Sequence, residues 1–164
     1  MTTTTPPPSW DELDTAYHEA GHAVMGCLVN RLPLTATIVP NGPIAGEVHF
    51  EPETRQFEYF DNSPAKQELA RQRVFTELAG TIAHNLYKPG RKHDIADETD
   101  LEIAERLITE LVRMEDRDGY LENARASATE LLAAHRAWLD AVAAALIQHR
   151  TLDRQKILTF RPCS

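Results

Sequence analysis

The chain has 164 residues, 26% charged and 42% hydrophobic, with 17 Lys and Arg against 25 Asp and Glu for a net charge of −8. That composition is ordinary for a globular protein and excludes a wholly disordered chain, a collagenous fibre and a disulfide-stapled mini-protein. The acidic balance argues against a nucleic-acid partner, since such binders carry a basic face. Lys88, Arg91 and Lys92 form the one dense basic cluster and read as a solvated loop. Cys27 and Cys163 are too few for a secreted disulfide framework. The longest apolar runs, residues 23–29 and 141–147, are far short of the about 20 residues a membrane helix needs. With no basic and apolar leader at the start, a soluble cytoplasmic protein without a membrane segment is expected.

Residues 1–9 are a Thr/Pro-rich stretch that cannot bury a core and read as a flexible leader. From residue 10 to 164 one domain is expected. Ala16, Tyr17, Ala20, Ala23, Val24, Cys27 and Leu28 recur at helical spacing, predicting a buried helix over 11–30 that Pro33 stops. Thr35 to Val39 is β-branched and apolar, 40–43 is a turn cluster, and Glu47 to Phe50 alternates, so 34–50 reads as a short hairpin. Pro52 to Pro64 reads as loop. Phe75, Leu78, Ile82 and Leu86 predict a helix over 65–87, broken by Pro89-Gly90. A third helix is expected from Thr99, which can pair with Glu102 as a capping box. Asp116 to Gly119 reads as a turn. One long final helix is expected from Ala124, Ala128, Leu131, His135, Trp138, Val142, Ala145 and His149, which step by four and three along a seam. Its two histidines read as packing residues. Thr151 to Thr159 reads as a short capped segment. The fold class is therefore mainly α with a small β-hairpin.

His18-Glu19-Ala20-Gly21-His22 matches H-E-x-x-H. Four residues turn a helix through about 400°, so His18 and His22 point the same way, one turn apart. Two nitrogens can then reach one zinc at about 2.0–2.1 Å. Glu19 is offset by about 100° from His18 and about 60° from His22. It can reach an acidified water beside the metal and take its proton without being a main ligand. A catalytic zinc needs a third protein ligand and one open position. His49, His84, His93, Asp94, Asp97, Asp100 and Glu102 are the candidates that the residues leave open. Cys27 is turned away from the motif and reads as a small core residue. Gly21 and Gly26 each cost about 1 kcal/mol within a helix, which suggests that something approaches closely there.

Ala16-Tyr-His-Glu-Ala-Gly-His-Ala23 resembles the signature of the FtsH-type zinc metallopeptidases. Ala36-Thr-Ile-Val-Pro40 with Gly46-Glu-Val-His-Phe50 resembles the strand pair that follows it in that family. Leu78-Ala-Gly-Thr-Ile-Ala83 is similar to the family's L-G-G-R-A-A helix, and Thr99-Asp-Leu-Glu102 to its N-D-L-E segment. Thr151-Leu-Asp153 resembles the end of the peptidase domain. The resemblance implies a helical zinc-metallopeptidase domain of FtsH type. It implies His18, His22 and Asp100 as zinc ligands, with Asp97 the competitor for the third place, and Glu19 as general base. The chain departs from the pattern in carrying Thr81 for the arginine and His84-Asn85 for an acidic pair, and in having no ATPase motif. The expected function is ATP-independent zinc-dependent endopeptidase activity on flexible or unfolded polypeptides. A homo-oligomer or a separate ATPase partner is compatible with it. A non-proteolytic zinc-binding module and a metal-dependent amidase are the alternatives.

Overall fold

The computed structural model describes residues 12–52 and 63–163. The leader expected over 1–9 and most of the loop expected over 52–64 lie outside the described residues. Helix α1 (Glu12–Leu28) leads into strands β1 (Pro33–Thr37) and β2 (Glu47–Phe50). Helices α2 (Pro64–Tyr87), α3 (Ile95–Leu111), α4 (Arg117–Ala134) and α5 (Arg136–His149) follow. The chain then forms β3 (Thr151–Asp153) and the short α6 (Arg154–Thr159). The fold is mainly α with a small antiparallel sheet, ordered β2-β1-β3.

Helix α1 is central because its residues are small and apolar. Ala16, Ala20, Ala23, Val24 and Met25 have no solvent exposure. A Cβ on Gly21 would lie 2.4 Å from the backbone oxygen of Ala79, so α1 and α2 meet backbone to backbone. That close packing offsets the helix penalty of glycine. Gly26 meets a similar limit, with Phe50 and the carbonyl of Arg31 pressed against it. Helix α5 packs on another side of α1, where the Tyr17 hydroxyl donates to Asp140 at 2.8 Å. Trp138 is fully buried, and its indole N–H donates to the carbonyl of Ile157 at 2.9 Å, which ties α6 beneath α5. In the sheet, Ala36 of β1 stands opposite Val48 on one side and Leu152 on the other.

Four expectations need correction. Helix α3 starts at Ile95, not near Thr99, because Asp94 and Asp97 form a reciprocal capping box: each carboxylate accepts from the other's backbone N–H. Thr99 instead lies inside the helix and bonds back to the carbonyl of Ile95. The expected long final helix breaks at His135, and His149 is exposed, so the seam is not continuous. Thr151–Asp153 is a third strand on β1 rather than only a capped segment. The basic loop is not wholly solvated: the Arg91 side chain is 7% exposed and pairs with Asp97.

The capping box gives one quantitative expectation. Asp94→Ala removes the side-chain acceptor for the N–H of Asp97. Urea unfolding should show a loss of about 1 kcal/mol. No change in the midpoint would mean that the box does not hold the start of α3.

Candidate metal centre

The two motif histidines sit on the buried face of α1, 6% and 8% exposed. The Nδ1 of His22 lies 2.7 Å from the carbonyl oxygen of Thr76 on α2. A carbonyl only accepts, so Nδ1 carries the hydrogen, and Nε2 is the nitrogen that can exchange its proton for a metal. That Nε2 is 3.0 Å from Nε2 of His18. Helix α3 brings Asp100 to the same point: its Oδ2 is 2.9 Å from His18 Nε2 and 3.2 Å from His22 Nε2.

These three atoms fit a cation. Ligands of a tetrahedral zinc at 2.0–2.1 Å stand about 3.3 Å from one another, close to the separations found. Oδ2 of Asp100 is buried and makes no well-formed hydrogen bond. Room for the cluster depends on Gly80. A Cβ there would lie 2.5 Å from Nε2 of His22 and 2.6 Å from Nε2 of His18. Glycine is thus the residue on α2 that leaves the nitrogens clear.

The electrostatics favour positive charge. Burial works against ionisation of Asp100, but His22 and His18 beside it hold its carboxyl well below the usual range. Burial would lower the pKa of His22, yet the Asp100 carboxylate, with Glu19 and Glu77, pushes it up to about 10. Glu19 is 6% exposed. Burial raises its pKa, against the opposing pull of His22 and His18. A raised carboxyl is the direction that makes a better proton acceptor. Gly46, just before β2, packs against the Glu19 side chain, where a Cβ would lie 2.8 Å from its Cγ.

The remaining candidates lie elsewhere. His49 is 57% exposed in its side chain and pairs with Glu47 on β2. His93 and Glu102 are exposed. Asp94 caps α3. His84 is buried at 2% exposure, with Nε2 3.2 Å from Asp14 and its ring edge-on to His18 at 6.4 Å between centroids. Asp97 lies on the far side of the His18 ring, with Oδ1 3.7 Å from Nδ1. His18, His84 and Asp97 form a second close group among the described residues. Asp97 there is already bound by Thr81, Arg91 and the N–H of Asp94, and the guanidinium of Arg91 opposes a cation beside it. Cys27 packs against the core, as expected, away from the cluster.

Thr76, Gly80 and the Thr81–Asp97–Arg91 contacts were not singled out from the residues alone. A glycine in the interior of a helix was the available signal for Gly80. A backbone carbonyl acting on His22 leaves no trace in the sequence.

Two histidines one turn apart on a buried helix, an intervening glutamate and an aspartate from a third helix match the kind of residue set that zinc metallopeptidases use. The model of Peptidase family M41 matches residues 10–120, and the chain belongs to that family. Among similar proteins, an ATP-dependent zinc metalloprotease FtsH of Opitutus terrae is 29% identical, over 94% of this chain and 30% of its own length. One from Syntrophus aciditrophicus is 26% identical, over 87% of this chain and 24% of its own. One from Chlamydia trachomatis serovar L2 is 35% identical, over 52% of this chain and 9% of its own. The chain therefore matches less than a third of the length of these relatives. The family's cofactor is zinc. No helix among the described residues is long and apolar enough to cross a membrane.

Proposed function

We propose that this chain is a zinc metalloendopeptidase acting on flexible or unfolded polypeptides without ATP, with His18, His22 and Asp100 as the metal ligands and Glu19 as the general base. The observation that carries this reading is the meeting of His18 Nε2, His22 Nε2 and Asp100 Oδ2 within 3.2 Å of one another, beside a buried Glu19. Zinc held there would supply a Lewis acid that polarises a carbonyl and acidifies water. Three protein ligands leave the open position that hydrolysis needs, whereas a structural zinc is closed by four. Thr76 fixes the ring of His22 through its Nδ1–H. Glu19 takes a proton from the attacking water and returns it to the leaving amine.

Substrate binding uses the sheet. Strand β2 is an edge of the order β2-β1-β3 among the described residues, and Gly46 joins its start to Glu19. An extended peptide can add to such an edge through main-chain hydrogen bonds, with little demand on its sequence. Such pairing needs an extended backbone, which an unfolded segment offers and a folded domain does not.

The test is degradation of an unfolded casein by the zinc-loaded chain with no nucleotide. Cleavage should stop when a chelator removes zinc and return when zinc is restored. A chain that binds one zinc and cleaves neither casein nor short peptides would overturn the peptidase reading in favour of a binding module.

A further inference from the structure

We infer that Asp97 is a positioning residue for His18: its carboxylate, clamped by Thr81, Arg91 and the Asp94 N–H, faces Nδ1 of His18 and turns Nε2 toward the metal. The inference rests on the metal site proposed above. The two metal-facing histidines need their outer nitrogens held, because the hydrogen bond at one ring nitrogen sets which nitrogen is free to ligate. For His22 the holder is the carbonyl of Thr76. For His18 the carboxylate that faces Nδ1 is that of Asp97, with Oδ1 at 3.7 Å. That is an electrostatic contact, about half an ångström longer than a hydrogen bond.

The surroundings of Asp97 are built more heavily than helix capping requires. Its side chain has no solvent exposure. The Thr81 hydroxyl donates to Oδ1 at 2.8 Å, while Arg91 and the N–H of Asp94 donate to Oδ2. Asp94 by itself supplies an exposed-side cap for the same helix. Burying an ion pair such as Arg91–Asp97 is a poor route to stability, since apolar residues of the same volume do at least as well. The clamp does have one geometric result: it fixes a carboxylate oxygen against the outer nitrogen of His18 and neutralises the other oxygen with Arg91. The carboxylate at that nitrogen comes from α3. His84 is turned to Asp14.

The test is zinc affinity, measured by competition with a chromophoric chelator, for the parent, Asp97→Asn, Asp97→Glu and Asp94→Ala. Circular dichroism checks that each is folded. Asp97→Asn should weaken zinc about 10- to 100-fold, and Asp97→Glu, which keeps the charge, should recover part of the loss. Asp94→Ala, which removes the cap and a 3.8 Å contact with Arg91 but keeps the backbone N–H that binds Asp97, should stay within about twofold of the parent. Cobalt loaded in place of zinc should show a shifted visible spectrum in Asp97→Asn and an unshifted one in Asp94→Ala. Equal affinities in Asp97→Asn and the parent would overturn the inference while leaving the metal site standing. Equal losses in Asp97→Asn and Asp94→Ala would do so too, by reducing Asp97 to a cap. Should Asp97→Asn fail to fold, Thr81→Val, which frees the Asp97 oxygen that faces His18, against Asp94→Ala decides: no greater loss in Thr81→Val rejects positioning. A parent that does not bind zinc rejects the metal reading itself.

Discussion

Glu19→Gln should lower kcat for peptide hydrolysis about 10²- to 10⁴-fold and leave zinc affinity within a few-fold of the parent. The magnitude is that of a general base removed from the chemical step. The substitution preserves volume and polarity in a side chain that is 6% exposed and packed under Gly46, so the fold around it has no reason to change. It cannot accept a proton. Because Glu19 lies outside the trio formed by His18, His22 and Asp100, metal binding should survive. The two readouts therefore separate: activity falls and affinity holds. Loss of both together would place Glu19 among the ligands. Retention of both would remove it from the chemistry.

Gly80→Ala should abolish tight zinc binding, although the change adds one methyl group and favours the helix by about 1 kcal/mol in propensity. The new Cβ would lie 2.5 and 2.6 Å from the two Nε2 atoms. One of two things must then give way: α2 backs off from α1, or the imidazoles rotate out of register with Asp100. Thr76, one turn earlier on α2, holds the ring of His22, so a shift of α2 moves that ring as well. A site in which three ligand atoms must converge tolerates displacements of about half an ångström. Calorimetric titration should show affinity reduced by more than 100-fold in a chain that remains helical. Unchanged affinity would mean that the zinc lies elsewhere.

How far the sequence carries these conclusions differs from residue to residue. The H-E-x-x-H spacing is a local property of one helix, so the side chains at 18 and 22 could be placed together before any tertiary structure was known. Asp100 could not be reached that way. It comes from a different helix, and six other residues had comparable chemistry until family resemblance singled it out. The start of α3 was misplaced because Thr99 and Glu102 fit the usual capping pattern better than Asp94 and Asp97 do. The pair that wins is held by Arg91 and Thr81 as well. Strand β3 has three residues and pairs with β1, far away in sequence, so neither length nor periodicity could reveal it. The break at His135 has no glycine or proline to mark it. The apolar steps run on through the break, and the backbone does not.

The most direct measurement is zinc K-edge X-ray absorption on the loaded chain, compared with Asp100→Asn. The account requires a four-coordinate ion with two imidazoles and two oxygens near 2.0–2.1 Å, one from Asp100 and one from water, and a changed shell in the variant. A third imidazole, a sulfur ligand, or an identical spectrum from Asp100→Asn would contradict it.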